Sequence, residues 1–173
     1  RTTRRDVLAS AGALAAVPEA SGMLVYTDDM IYRGVVRSDG GDKPGPAFET
    51  IPPRPVTSPV VRSLLEQRKS VDGLRWGSFV VNEKQLYANV SIPLVRDGVR
   101  RAVVVAPVEL QTLSRVALDL STRFGTHAFI LDGDNRILAI EKLADPAARE
   151  QGLEPLMALT SIGDPVLARY ATR

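Results

Sequence analysis

Residues 85–108 constrain the fold more than any other stretch. Gln85 to Val95 (QLYANVSIPLV) alternates apolar and polar side chains through most of its length, the period of a strand with one face buried. Leu86, Ala88, Val90 and Ile92 fall on one face, and Tyr87, Asn89 and Ser91 on the other. Arg96-Asp97-Gly98 follows. Asp-Gly is a strong hairpin signal because both residues tolerate positive φ. Arg101 to Val108 (RAVVVAPV) is then almost continuously apolar, as a strand covered on both faces would be.

The clearest helix comes next. Leu110, Leu113, Val116 or Ala117, Leu120 and Phe124 recur at helical spacing, and Gly125 stands where a C-cap belongs. The other face carries Gln111, Ser114, Arg115, Asp119 and Arg123. His127 to Leu131 and Arg136 to Ile140 then read as a second hairpin through Asp132-Gly133-Asp134-Asn135. A central strand that feeds a helix leading to a second sheet implies two small stacked domains. Asp145-Pro146 and Asp164-Pro165 are helix starts of the cap-plus-proline kind. With two visible strands the second domain reads as cut short, because an isolated strand pair is marginal.

Upstream, Met23 to Thr27 and Met30 to Arg37 read as strands joined at Asp28-Asp29. Ser38 to Pro46 is loop by composition, and Pro52-Pro53-Arg54-Pro55 extends the irregular region. Ser58-Pro59 starts a helix whose buried stripe is Val60, Val61, Leu64 and Leu65. Leu74 to Val81 is a further strand. The first domain thus amounts to about five antiparallel strands, with a helix between the second and third.

The start of the chain reads two ways. Thr3-Arg4-Arg5-Asp6 before Val7 to Val17 is similar to a twin-arginine export signal, with Val17-Pro18-Glu19-Ala20 a poor cleavage site. Alternatively Asp6 caps a first helix with Val7, Leu8, Ala11, Leu14 and Ala15 on one face, ended by Pro18. The helix is the expected form. The absence of an initial methionine points to an excised piece of a longer protein.

Composition removes several functions. The 173 residues carry 22 basic and 20 acidic side chains and a net charge of +2. No basic run is interleaved with aromatics, so no nucleic-acid partner is expected. There is no cysteine and one histidine, which argues against disulfides, thiolate nucleophiles, iron–sulfur clusters and transition-metal sites. No apolar stretch approaches the roughly 20 residues that span a bilayer. Neither a cofactor nor a metal is expected.

A family resemblance rests on several short motifs. They are Arg75-Trp76-Gly77, Tyr87-Ala88-Asn89-Val90, the Pro93-Leu94 step before Arg96-Asp97-Gly98, the Leu113-Ser114-Arg115 helix start and Phe129-Ile130-Leu131. Ile162-Gly163-Asp164-Pro165-Val166-Leu167-Ala168-Arg169 is the last. With these motifs the chain, from about Leu14 onward, resembles the double Cache (dCache) extracytoplasmic sensor domains. It looks most like those joined to bacterial class III adenylate/guanylate cyclases.

The resemblance implies an α+β fold: a PAS-like antiparallel sheet with flanking helices, followed by a partial second PAS-like module. Residues 1–22 would form an N-terminal helix and 23–109 the membrane-distal module. Residues 110–173 would supply a connecting helix and part of the membrane-proximal module. The fragment would perform no catalysis. It would lie in the periplasm as part of an inner-membrane protein with cytoplasmic output, binding a small molecule. A homodimer through the N-terminal helices stays open, as does a histidine kinase or chemoreceptor output, or a structural module that senses nothing. Two features depart from the family. Arg101-Ala102 stand where members often carry a small pair after the turn. Arg75-Trp76 also lacks the spacing of the Arg-x-Trp-Tyr cluster used by amino-acid-sensing members, so an amino-acid ligand is not implied.

In such modules the ligand lies between the sheet and the loops covering it. Tyr87 and Asn89 project together by the two-residue period. Trp76 would wall the site, and Arg75 or Arg33 would pair with a carboxylate through a bidentate fork. Arg75 and Trp76 are adjacent, so one of them at most enters it. The ordinary alternative is a core tryptophan, a half-buried tyrosine and solvated arginines. Asp132-Gly133-Asp134-Asn135 fails the EF-hand pattern at Arg136 and Ile137 and reads as a polar turn. Asp28-Asp29, Asp39 and Asp42 are turn carboxylates with nothing to fix them near a pocket. His127 with Ser121 or Ser114 lacks a nucleophile elbow.

Overall fold

Asp97 and Gly98 adopt φ of 54° and 72°, the paired left-handed conformation that a two-residue hairpin turn needs. They join the two longest strands, β6 (Gln85–Arg96) and β7 (Val99–Glu109). The computed structural model describes residues 4–38, 47–67, 73–76, 79–82, 85–133, 135–148, 152 and 154–171. The chain divides into two compact units, Arg1–Val108 and Glu109–Arg173.

In the first unit the described strands are β1 (Gly22–Thr27), β2 (Ile31–Ser38), β3 (Ala47–Pro55), β4 (Arg75–Trp76), β5 (Val80–Asn82), β6 and β7. They form one seven-stranded sheet in the order β3-β2-β1-β7-β6-β4, with β5 also on β6. β1 pairs antiparallel with β2 and β7, β2 with β3, and β4 and β5 with β6. With its flanking helices this is the α+β, PAS-like sheet that the sequence leads one to expect. Helix α1 (Arg4–Ala15) precedes the sheet, and α2 (Pro59–Gln67) follows β3.

Two expectations need correction. Pro52-Pro53-Arg54-Pro55 is not irregular but the end of β3, so α2 follows the third strand and not the second. β3 is an edge strand, where a proline's missing N–H costs no ladder bond. The register with β2 also slips between Tyr32 and Gly34 beside these prolines. The expected Leu74 to Val81 strand is two pieces on β6, and their register slips by one between Trp76↔Val90 and Val80↔Tyr87.

Alternation gives the sheet two faces. On one, Tyr26 stands opposite Tyr32 and Val103. Val56, Leu65 and Val103 are buried there with Tyr26, Tyr32, Val61 and Val105 around them. On the other, Val35 is buried with Leu14 and Ala20, and Ala11, Phe48 and Ala106 pack on them. The stretch that resembled an export signal is thus helix α1, with Leu14 at 1% exposure. The Val7 and Leu8 side chains and the Asp6 cap lie outside the described residues, as do Asp39, Asp42 and the rest of the loop after Ser38. Ser58 caps α2, accepting from the Val61 N–H at 3.4 Å. Val60, expected in the buried stripe, is 61% exposed; Leu65 carries the burial, with Val61 and Leu64 half-buried.

Gly34 has a steric reason. A Cβ there would lie 2.2 Å from the Met23 carbonyl oxygen and 2.8 Å from Leu24 Cδ2, so β1 and β2 close only over glycine.

The second unit holds α3 (Leu110–Phe124), β8 (Phe129–Asp132), β9 (Arg136–Ile140) and α4 (Pro165–Tyr170). Gly125 ends α3 in the left-handed conformation at φ 61°. β8 and β9 pair antiparallel. The free side of β9 is taken by residues 156–158: the Ile137 N–H donates to the Met157 carbonyl at 2.9 Å and the Leu156 N–H to the Ile137 carbonyl at 2.6 Å. Ile137, Ile140, Leu143, Leu159, Ile162 and Leu167 form the core. Asp164 caps α4, accepting from the Val166 N–H at 2.9 Å and the Leu167 N–H at 3.3 Å.

Candidate ligand cavity in the first unit

The Tyr26 face of the sheet and α2 enclose a cavity of about 640 Å³. Its floor is laid by strand alternation. β1 gives Leu24 and Tyr26, β2 gives Tyr32 and Val36, and β7 gives Val103, Val105 and Pro107. β6 gives Tyr87, Asn89 and Ser91, the face the sequence set apart as polar. Val61, Leu64 and Leu65 of α2 form the roof, and Val56, Thr57 and Ser58 of the link before it form one wall. Thr57 and Ser58 are solvent-exposed while Ser91 is buried, so the site runs from an open rim to a closed floor.

Apart from Arg37, the polar side chains among the described lining residues carry hydroxyls or an amide. The rings of Tyr26 and Tyr32 stack with centroids 5.5 Å apart at 23°. This follows from their opposite positions across β1 and β2. Burial pushes the Tyr26 phenol up to about 12, and the neighbouring Tyr32 adds to it. Tyr26 therefore stays a neutral hydroxyl, able to donate or accept, throughout the physiological range.

Arg37 is the charged residue among the described ones lining the cavity, yet its guanidinium is spent elsewhere. Arg37 has the parity of Val35, so its side chain leaves on the α1 face of the sheet. There Nε donates to the Ala20 carbonyl at 2.9 Å, and Nη2 to the carbonyls of Leu14 at 2.5 Å and Val17 at 3.1 Å. The guanidinium also lies 5.6 Å from the centre of the Phe48 ring.

Of the residues singled out in the sequence, Tyr87 and Asn89 line this cavity. Arg33, Arg75 and Trp76 do not. Arg33 also has the parity of Val35, and pairs with Val25 on the face away from the cavity. Trp76 pairs with Val90, again on the far face, and is 60% exposed. Arg75 pairs with Ser91 and so shares the cavity's face, but is exposed at the sheet edge. Tyr26, Tyr32, Ser91 and the Thr57-Ser58 link were not anticipated. Ser91 carried a signal in its parity with Tyr87 and Asn89; Tyr26 and Tyr32 were findable from the short Asp28–Met30 connection between their strands.

The remaining candidates resolve simply. His127 Nδ1 lies 3.3 Å from Glu141 Oε1, whereas the Ser121 hydroxyl accepts the Ala128 N–H at 2.9 Å and Ser114 donates to the Leu110 carbonyl at 3.2 Å. The serines are thus structural, and no nucleophile–base pair forms. Asp132 pairs with Arg136, and Asp28 with Arg100 at 2.7 Å. Among the described residues no group of three or more His, Cys, Asp or Glu is placed to hold a metal, and no helix is long and apolar enough to cross a membrane.

The architecture of the first unit is a PAS-like antiparallel sheet with flanking helices. No family model and no curated protein matches the sequence. Among solved structures, the chain is similar to the extracellular domain of vpHK1S-Z8, a protein described as a histidine kinase. The TM-score is 0.61 at 9% identity, over 98% of this chain and 62% of that one. It is similar to the ligand-binding domain of Campylobacter jejuni chemoreceptor Tlp3 in complex with L-valine, with a TM-score of 0.58 at 14% identity over 99% and 62%. A third is a domain of a sensory box/GGDEF family protein from Vibrio parahaemolyticus, with a TM-score of 0.54 at 10% identity over 98% and 67%. The chain thus spans about three-fifths of the first two domains, and at these identities the likeness is one of fold.

Proposed function

We propose that this chain is the extracytoplasmic small-molecule-sensing region of a bacterial transmembrane signalling protein, and that it performs no catalysis itself. The observation that carries the reading is the cavity between the Tyr26 face of the sheet and α2. Its size suits a small ligand, it is mainly apolar, and a few hydroxyl and amide groups converge in it. The fold it sits in is the one in which the Tlp3 domain was solved with L-valine. Tyr87 and Asn89, with Tyr26, Tyr32 and Ser91, are the ligand-binding residues on this reading.

Residues 1–22 act as the N-terminal helix, 23–109 as the membrane-distal module, and 110–173 as the connecting helix with part of a proximal module. The parent is anchored in the inner membrane with this region in the periplasm, and dimerises through its N-terminal helices. The ligand shifts the output only by the difference in its affinity for two arrangements of those helices. An adenylate/guanylate cyclase output rests on the sequence resemblance. The kinase and chemoreceptor outputs of the similar solved domains favour, as a second reading, a histidine kinase or chemoreceptor.

A thermal-shift screen of the purified chain against a broad metabolite panel tests this. The expected result is a saturable rise in Tm with at least one compound, lost when Ser91→Phe fills the floor of the cavity. If no compound shifts the folded protein, a structural dimerisation module is left. For the output, the compound found is added to membranes holding the full-length parent, and nucleotide cyclisation is compared with autophosphorylation.

A further inference from the structure

The cavity has two ends, set by strand register. β1 pairs Gly22 with Val36 and Tyr26 with Tyr32, and it pairs Leu24 with Val105 and Tyr26 with Val103. Tyr26, Tyr32 and Val103 therefore stand at one end of the lining, and Ser21, Val36, Arg37 and Pro107 at the other. The stretch of β2 from Tyr32 to Val36 separates them by roughly 13 Å.

The second end is also where α1 is fastened. Three segments meet there through main-chain hydrogen bonds. The Ser21 N–H donates to the Pro107 carbonyl at 2.8 Å, and the Arg37 N–H donates to the Ser21 carbonyl at 2.9 Å. Ala20 forms an antiparallel bridge with Val108. The Arg37 side chain then reaches back along the link from α1 to β1, donating to the carbonyls of Leu14, Val17 and Ala20. Leu14 and Ala20 are buried with Val35. Ser21 is thus both the last residue of that link and part of the cavity wall, and Arg37 holds the link by its main chain and its side chain together.

This arrangement ties two events. A movement of α1 off the sheet pulls on the link and takes Ser21 out of place. A guest touching Ser21, Arg37 and Pro107 makes all of those contacts only while α1 is seated. It therefore binds the seated state more tightly, and by linkage it holds α1 in place.

We propose that occupancy of the Ser21–Arg37–Pro107 end of the cavity strengthens the seating of α1, and that Arg37 is the positioning residue through which the two are coupled. This rests on the sensing reading above and supplies its first step out of the cavity.

The test uses a covalent probe in place of the natural ligand. The chain has no cysteine, so one introduced thiol is labelled selectively. Val36→Cys in the whole 173-residue chain is treated with benzyl methanethiosulfonate, which forms a mixed disulfide with the thiol and releases methanesulfinate. A benzyl group then sits beside Ser21 and Arg37. Amides of α1 are expected to exchange at least about fivefold more slowly in the labelled than in the unlabelled variant. Thr57→Cys carries the same probe at the other end, next to Val56, whose N–H donates to the Met30 carbonyl. It is expected to leave exchange in α1 unchanged.

Adding Arg37→Met to Val36→Cys is expected to abolish the slowing. Arg37→Lys is the milder variant and is expected to lose most of it, because an ammonium cannot reproduce the planar fork. Protection of amides in β1 and β2 shows that each adduct is folded, and methyl methanethiosulfonate supplies a smaller one. Unchanged or faster exchange in α1 after labelling residue 36 overturns the proposal. Equal slowing without the Arg37 guanidinium, or from the probe at residue 57, overturns it too. Loss of protection across the sheet with both adducts also counts against it, since that end then has no room for a guest. The sensing reading is decided separately, by the metabolite screen.

Discussion

The Nη2 group of Arg37 on β2 donates to the carbonyl of Leu14 near the end of α1, across 2.5 Å. The last carbonyls of a helix have no partner within it. A guanidinium satisfies several at once and places positive charge at the negative end of the helix dipole. Arg37 also lines the cavity, as does its β2 neighbour Val36. One residue thus touches the candidate ligand site and holds the N-terminal helix.

Arg37→Met keeps most of the stem and removes the donors. The loss is expected to be about 2 kcal/mol, the scale of hydrogen bonds to a charged group. Amide exchange should rise in α1 before it rises in β1 and β2. Arg37→Lys should recover less than half of the loss, since an ammonium cannot reproduce the planar fork. Denaturant midpoints and site-resolved exchange measure both.

Gly34→Ala tests the closeness of β1 and β2. The added methyl meets the Met23 carbonyl oxygen at 2.2 Å, and backbone cannot step aside as a side-chain tip can. A loss of about 2–3 kcal/mol is expected, read from chemical denaturation. Gly12→Ala serves as control, because nothing lies within 4 Å of its Cβ position.

Tyr26 sets a pH limit. Its phenol is raised from 10.0 to about 12 by burial, with Tyr32 adding to the effect. The unfolded chain therefore loses this proton first, and the folded state binds more protons between the two values. Stability from this source is intact below pH 10 and falls as the pH rises from 10 through 12. The fall should reach about 2–3 kcal/mol. Tyr26→Phe should remove that part of the alkaline loss, seen as the difference between the two proteins' denaturation midpoints against pH.

In the second unit, Asp164 accepts two N–H groups at the start of α4 and lies 3.8 Å from Lys142 Nζ. Asp164→Ala should cost about 1 kcal/mol, and Asp164→Asn distinctly less, because the amide oxygen can still accept. Helicity of 165–170 and thermal midpoints check the order.

Local sequence was enough wherever the deciding interaction is local. The Asp97-Gly98 turn, the Gly125 stop and the Ser58-Pro59 and Asp164-Pro165 starts depend on a residue's own backbone preference or on a partner within three positions. The alternation of Leu86 to Ile92 likewise fixed that Tyr87, Asn89 and Ser91 share a face. Pairing across the chain was not legible. Nothing near Pro52-Pro53 says that β3 is an edge, and only an edge makes those prolines compatible with a strand.

The site divides along the same line. The sequence by itself put Tyr87 and Asn89 together, since two-residue periodicity needs no knowledge of neighbours. Only the tertiary structure decided what faces them. The antiparallel registers of β1 with β2 and β7 bring Tyr26 and Tyr32 onto that face and carry Arg33 and Arg37 to the other. A one-residue change of register would reverse every one of those assignments, and register is set by packing between segments far apart in the chain.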